Sequence, residues 1–332
     1  MNLIVTGAPG WLGDSVLEAL PAHAQVRCLV HDTIPEAAAA SWRKGKIAVA
    51  ELVRGNLADA GTRAALLSDA AGSTLLHSAA VIHPHRTRDW YAINCDATLD
   101  LAREARAAGV LRFVFVSSNA AQGAAGSPSD ILVESGPCKP LSHYGKSKWM
   151  AEQGLMALHE PGRFEVVVAR PCMFYGPPIP QRHVDIFRRI QAGRLPMVGD
   201  GRYARSLSYI DDLVQGILLC LTHPAAPGNT FYLCDAQPYT TREVCEAMAA
   251  ALGVPARFFP LPVASAKLAY AVDRLVSATG FYSMNFHLLG EADWNVGCSS
   301  ERAAEMLGYR TTVDVWEGYR RAVAWCRKRK LI

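Results

Sequence analysis

The sequence predicts an α/β protein: a doubly wound parallel sheet joined to a smaller, mostly helical lobe. Three observations carry this. Short, almost wholly apolar stretches alternate with helix-like ones through the first half of the chain. A glycine-rich turn joins the first strand to the first helix, and the texture changes after Arg170. Strands without polar alternation are buried on both faces, which calls for helices on both sides of a parallel sheet.

The elements follow in chain order. Leu3–Thr6 reads as a strand, Gly7–Gly13 as the turn, and the next helix runs through Leu20 to a stop at Pro21. Gln25–Val30 and Val49–Val53 are the second and third strands, and Asp59 is placed to cap a helix carrying Leu66 and Leu67. Ser73–His77 is a strand, Asn94–Ala108 a helix ended by Gly109, and Arg112–Val116 a strand. Leu141–His159 is a helix ended by Pro161 and Gly162, and Glu165–Ala169 is the sixth strand. Beyond it Pro171, Gly176, Pro177, Pro178 and Pro180 interrupt the backbone. A helix over Asp211–Leu221 and a strand over Thr230–Leu233 return to the sheet. Residues 1–176 and 206–236 are therefore expected to form the sheet domain, with 177–205 and 237–332 as the helical lobe.

Composition narrows the function classes. A chain of 332 residues, 50% hydrophobic and 19% charged, can offset the entropy of ordering, so disorder is excluded. Apolar runs such as Leu213–Leu221 are broken by Gln215 and Gly216 and fall short of the ~20 residues a membrane span needs. The formal charge of +4 is scattered, apart from Arg327–Lys330, and does not mark a nucleic-acid binder. Nine cysteines without a C-x-x-C pair argue against a disulfide framework or zinc site. No leader precedes Leu3, so a cytoplasmic protein is expected. The alanine run Ala37–Ala40 is too short to count as low complexity.

The first chemical signal is Gly7, Gly10 and Gly13, with Trp11 and Leu12 between them, directly after a strand and opening a helix. Glycines are needed where the backbone turns tightly and lets a diphosphate approach, and the helix N-terminus supplies free N–H groups and positive dipole. This is the context that distinguishes a dinucleotide turn from a chance match, and places the sheet in the Rossmann type. Of the residues that would sort NAD from NADP at the end of the second strand, His31 is neither clearly acidic nor permanently basic, and Asp32 is placed to cap the following turn. The cofactor is NAD or NADP.

The second signal is Tyr144 and Lys148, four apart on a helix and so on one face, with Ser117 and Ser118 just past the fifth strand. In parallel sheets that strand end faces the ligand crevice. A phenol, an amine and a hydroxyl beside a nicotinamide can move a proton. Bringing Tyr144 from a pKa near 10 to ~7 takes roughly 4 kcal/mol, expected from Lys148 and the positive ring of an oxidised cofactor. Ser118 would hydrogen-bond the oxygen that becomes a carbonyl.

These motifs, with several more, resemble the extended short-chain dehydrogenase/reductases, the grouping of NAD-dependent sugar epimerases, dehydratases and 3β-hydroxysteroid-dehydrogenase-like enzymes. The resemblance spans nearly the whole chain. Gly55-Asn56-Leu57 stands where that family has G-D-L against adenine, Asn56 being a departure that an amide can fill. His77-Ser78-Ala79-Ala80 resembles its H-x-A-A strand end, which implies Ala79 and Ala80 beside the cofactor. Asn94–Thr98 resembles its N-V-x-G-T helix start, and Phe115–Ser118 its V-S-S with Ser118 at the catalytic place. Arg170-Pro171 and Tyr175-Gly176-Pro177 resemble its R-P-x-x-x-Y-G-P, implying that Pro171 to Met173 lie near the nicotinamide. Gly199–Gly201 and Tyr209–Asp212 resemble its G-D-G and Y-V-D-D.

Two positions bear on the substrate and disagree. Nucleotide-sugar members carry an Asn where this chain has Met173, and methionine suggests an apolar pocket edge. Arg205 falls where such members place an arginine on the diphosphate, or is only a surface charge. Asn119 and Ala120 stand where dehydratases hold an acid pair, so dehydration is disfavoured. His83 and His85 flank a proline without a third ligand and read as loop residues. Cys172 reads as packing, and Trp149, Met150 and Met156 as core or helix contacts. The family implies a homodimer across the helices from Asn94 and around Tyr144. The leading expectation is an NAD(P)-dependent oxidoreductase interconverting a secondary alcohol and a ketone on a small molecule, without nucleic acid or membrane. A nucleotide-sugar 4-epimerase is the alternative, and a non-catalytic dinucleotide sensor the third reading.

Overall fold

The computed structural model describes residues 2–21, 23–35 and 49–332; the Ala37–Ala40 run lies outside them. Seven strands form one sheet: β1 (Asn2–Thr6), β2 (Gln25–Val30), β3 (Val49–Arg54), β4 (Thr74–His77), β5 (Arg112–Val116), β6 (Glu165–Pro171) and a last strand, Thr230–Leu233. The last strand lies outermost on one side, followed in space by β6, β5, β4, β1, β2 and β3, all parallel. The chain leaves β1 toward β2 on one side and returns to β4 on the other. At that switch point the carboxyl ends of β1 and β4 open a crevice.

Strand residues alternate between two cores, which is why the runs are apolar throughout. Leu3, Val5, Val114 and Val116 join one cluster with Val16, Leu213 and Ile217, from helices Trp11–Ala19 and Ile210–Thr222. Ile4, Phe113 and Phe115 join the other with Leu101, Ala102, Ala151 and Leu155, from helices Thr98–Ala107 and His143–Met156. Each fully buried Leu, Val or Phe contributes about 1.5–3 kcal/mol. A third cluster, around Tyr175, Phe187, Val244 and Tyr319, lies among helices Gln181–Gln191, Thr241–Leu252 and Val315–Lys328. Among the described residues no helix is long and apolar enough to cross a membrane.

Two local expectations change. The helix expected from Asn94 is already wound from Thr87, as Thr87–Tyr91, a π-helical turn Ala92–Ala97, and Thr98–Ala107. Asn94 sits inside the widened turn because its amide is held by the backbone of Val81. Asp59 precedes helix Ala60–Leu66 without a side-chain capping bond. The turn ahead of it is closed by Asn56, whose Oδ1 accepts the Ala58 N–H at 3.0 Å.

Candidate active site

The glycine turn is a cradle with no room for side chains. Gly7 has φ +91°, and a Cβ there would stand 2.5 Å from the Ala79 nitrogen; at Gly10 and Gly13 it would stand 2.6 Å from the Gly7 oxygen. The turn is thereby pressed onto the Ser78–Ala80 segment that follows β4. Helix Trp11–Ala19 starts at Gly10 with no side-chain cap, so its first N–H groups find no side-chain acceptor there. Leu12 is buried in the core, whereas the Trp11 ring lies 4.7 Å from Phe174 and 5.3 Å from His183, linking the turn to the lobe. At the end of β5 the Ser117 hydroxyl is buried without a hydrogen-bond partner. Bare cradle, uncapped helix start and orphan hydroxyl fit a dinucleotide.

At the β2 end, His31 rather than Asp32 closes the turn: its Nδ1 accepts the Thr33 N–H at 3.2 Å. His31 and Asp32 are both exposed. Arg54, which the sequence reading passed over, donates from Nη2 to the carbonyls of Asp32 (3.4 Å) and Ile34 (2.6 Å). Asn56 is spent on Ala58, and Leu57 is buried.

The segment around Ala79 and Ala80 is clamped from two sides. Asn94 accepts the Val81 N–H at 2.8 Å, donates to the Val81 carbonyl at 2.9 Å, and donates to the Ser147 hydroxyl at 3.3 Å. His77 is buried between the hydroxyls of Thr6 (2.6 Å) and Thr98 (2.9 Å), and burial next to Lys148 pulls it down to about 3, so it stays neutral. π-Helical turns often mark functional sites, and here the turn aims one amide at both crevice loop and Tyr144 helix.

Tyr144 and Ser118 meet. Helix His143–Met156 begins at Ser142, whose Oγ accepts the Gly145 N–H at 3.2 Å. A side chain at Gly145 would collide with the Ala120 carbonyl. The missing Cβ lets the helix start lie on the Ser118–Ala120 turn, where the Ser118 hydroxyl, which donates to Asn119 Oδ1 at 3.2 Å, is the polar neighbour that opposes the rise of the Tyr144 phenol. Ser118 Oγ also accepts the Ala120 N–H at 3.2 Å.

Lys148 joins the same strand end but turns beneath it. Its buried Nζ donates to the Val116 carbonyl at 2.7 Å and lies 4.3 Å over the Phe115 ring. Burial pulls the ammonium down to about 7, against the opposing pull of Glu152. The phenol differs from expectation: burial pushes Tyr144 up to about 12, the Ser118 hydroxyl works against this, and Glu291 adds to it. The Lys148 ammonium is committed to the Val116 carbonyl under β5, and burial dominates the phenol.

On the substrate side Pro171 ends β6, and the Cys172 N–H is held by Ser208 Oγ at 3.1 Å. Cys172 is buried among Tyr232, Cys234 and Cys298. Met173, which pairs with Leu207, is 52% exposed. Arg205 is not a surface charge: it donates to Thr241 Oγ1 (3.3 Å) and to the carbonyls of Glu291 (2.8 Å) and Ala292 (3.0 Å). Its side chain is committed to the turn after helix Met284–Gly290.

That turn belongs to a wall that sequence spacing did not expose. His287 bridges Asp273 (Nδ1 to Oδ2, 3.2 Å) and Glu291 (Nε2 to Oε1, 3.1 Å). Tyr282 stands 5.4 Å from the His287 ring and 4.7 Å from Trp90, and its hydroxyl bonds His83 Nδ1 at 2.8 Å. Trp90 is parallel to His143, the neighbour of Tyr144. A cavity of about 320 Å³ lies alongside, with Leu141, Tyr270, Asp293 and Trp294 in its lining.

Comparison with known proteins identifies this architecture. Residues 3–234 match the NAD dependent epimerase/dehydratase family, and the chain belongs to that family. It is an extended short-chain dehydrogenase/reductase enzyme working with NAD or NADP. It is 34% identical to the uncharacterized protein y4nL of Sinorhizobium fredii, over 98% of this chain and 95% of that one. It is 33% identical to UDP-glucose 4-epimerase of Vibrio cholerae, over 53% of this chain and 54% of that one. It is 30% identical to a 4-hydroxy-2-methyl-3-oxo-4-farnesyl-3,4-dihydroquinoline-1-oxide ketoreductase of Stigmatella aurantiaca, over 81% of this chain and 78% of that one.

Proposed function

We propose that the protein is an NAD(P)-dependent oxidoreductase that interconverts a ketone and a secondary alcohol, with Tyr144 as proton donor to the carbonyl oxygen and Ser118 as its hydrogen-bond partner. The observation that carries this is the Tyr144–Ser118 hydroxyl pair at the carboxyl ends of β4 and β5, beside the glycine cradle. Gly7, Gly10, Gly13 and the Trp11 and Leu12 backbone would hold the diphosphate, with His31, Asp32, Asn56 and Leu57 on the adenosine side. Ala79, Ala80, Ser117, Lys148, Pro171 and Met173 would surround the nicotinamide half.

A reduced dinucleotide, when bound, would supply a hydride to the carbonyl carbon. Tyr144 would pass its phenolic proton to the carbonyl oxygen, and water would reprotonate the phenolate. Burial and Glu291 keep the phenol protonated at neutral pH, the form that acts as an acid. Reduction is therefore expected to hold steady across the neutral range, while oxidation, which needs the phenolate, climbs with pH. Tyr144→Phe is expected to lower kcat by about 10²–10⁴-fold with dinucleotide binding retained. Following reduced-nicotinamide absorbance with a ketone panel checks this, and unchanged turnover in Tyr144→Phe rejects the role.

A 4-epimerase of nucleotide sugars is the second reading, favoured by the identity to UDP-glucose 4-epimerase. It needs a group for the sugar's diphosphate, and Arg205 is engaged with two carbonyls and Thr241. Interconversion of UDP sugars without net consumption of reduced cofactor would favour it over the first.

A further inference from the structure

The glycine turn meets the lobe through one indole, and three side chains gather on it. The Trp11 ring packs against Phe174 at 4.7 Å and His183 at 5.3 Å, and the Arg182 guanidinium stands over it at 5.8 Å. Trp11 is the first residue of the helix that starts at Gly10 without a side-chain cap. These contacts therefore set an arginine of helix Gln181–Gln191 beside the diphosphate turn. Two polar groups there are unmatched. The Trp11 Nε1 donor is buried without an acceptor. The Arg182 guanidinium makes no hydrogen bond or ion pair among the described residues. Partial desolvation lowers its pKa, and no carboxylate works against that. Burial and the Arg182 charge hold His183 down at about 4 and lower His83, which leaves the guanidinium as the standing charge of the three.

We propose that Arg182 and the Trp11 indole N–H form a phosphate subsite that closes the glycine cradle from the lobe side. A guanidinium offers a planar fork of donors matched to phosphate oxygens, and an indole N–H only donates. Both lack an acceptor here, and a phosphate brings acceptors alone. A partly desolvated cation also gains from an anion that neutralises it. Arg205, expected on a diphosphate, is spent on three oxygens of the protein itself, whereas Arg182 is uncommitted. The phosphate belongs either to the dinucleotide in the cradle or to a phosphate-bearing substrate beside it. This rests on the glycine turn as the dinucleotide cradle and is independent of the Tyr144 chemistry.

The test is binding, measured by calorimetry on the full-length protein, Arg182→Met, Arg182→Lys and Trp11→Phe. Methionine keeps an apolar stem over the indole, and phenylalanine keeps a ring without the donor. The probes are NADH and NADPH, UDP-glucose on protein saturated with the tighter cofactor, and inorganic pyrophosphate on the protein alone. Arg182→Met is expected to weaken pyrophosphate, and with it a dinucleotide or UDP-glucose, by about ten- to a hundredfold. Arg182→Lys should recover part of that loss, and Trp11→Phe should cost several-fold. Added salt should weaken the parent protein more than Arg182→Met, because a charge is what salt screens. A loss confined to the dinucleotides gives the phosphate to the cofactor, and one confined to UDP-glucose gives it to a substrate; either supports the subsite. Affinities unchanged in Arg182→Met, or a loss indifferent to salt, reduce Arg182 to packing on Trp11 and overturn it. A parent protein that binds pyrophosphate through Arg182 but no dinucleotide keeps the subsite and counts against the cradle. No binding of any probe overturns both.

Discussion

Asn94 shows how one side chain can carry a site without touching the reacting atoms. Its amide uses one acceptor bond and one donor bond on Val81 and a further donor bond on Ser147, so the loop after β4 and the Tyr144 helix share a single anchor. Asn94→Ala leaves the half-buried N–H and C=O of Val81 unmatched, at up to about 1–3 kcal/mol for each group that water does not reach. The expected outcome is a rise of roughly tenfold or more in KM for the dinucleotide with a smaller change in kcat, read from steady-state kinetics. Asn94→Asp, which keeps the acceptor and loses the donors, should fall between the two. At the β2 end Arg54 plays a comparable part for Asp32 and Ile34. It escaped the sequence reading because a strand-end arginine has no spacing signature. Gly7, Gly10 and Gly13 were legible at once, since only glycine tolerates the contacts found there.

Among elements, the Tyr144 helix is the one whose placement decides the chemistry. Its seat on β6 is a buried ion pair: Arg170 donates to Glu152 through Nε (3.0 Å) and Nη2 (2.5 Å), and both side chains are nearly sealed from water. Removing one charge from such a pair typically destabilises by about 3–5 kcal/mol, more than a surface pair contributes. Glu152→Gln is therefore expected to lower the denaturant midpoint markedly with an unchanged slope. Arg112–Glu165, also partly buried, makes a useful control at the start of β5 and β6, the strand end opposite Arg170. The caps that set two helix starts, Ser142 before the Tyr144 helix and the Thr240–Glu243 box before Thr241–Leu252, are local in sequence, yet the sequence reading began the first helix at Leu141 and passed over the second. The π turn over Ala92–Ala97 was not legible, because its cause lies in Val81, eleven residues from its first member, and in the fold that brings the two together.

At the scale of the whole molecule, the lobe carries a titrating contact of its own. Burial works against a charge on His287, but the bonds to Asp273 and Glu291 win and raise it to about 9, from an ordinary value of 6.5. A raised base stabilises the folded state fully below its unfolded pKa and loses that contribution as pH climbs through the folded value. The linkage amounts to at most about 3 kcal/mol. Lys148, lowered to about 7, tilts stability the opposite way over part of that range. The measurement is therefore a difference: the Tm of the protein minus that of His287→Gln should be largest below pH 6.5, shrink between pH 6.5 and 9, and level off above that. A difference independent of pH would mean that His287 contributes packing alone.

What the sequence determined by itself was everything governed by short-range chemistry. The uninterrupted apolar strands, the three-glycine turn between strand and helix, and the Tyr144–Lys148 spacing specify the sheet, the cradle and the proposed proton donor, because each depends on residues a few positions apart. Only the tertiary structure decided which charge meets the phenol. Lys148, four residues away, turns under β5 to the Val116 carbonyl, whereas Glu291, from the far end of the chain, comes within electrostatic reach of the phenol. Arg205, similarly, is claimed by carbonyls some eighty residues on. Electrostatics acts through space and through burial, and neither distance is written in the spacing of a chain until the lobe has folded back onto the sheet.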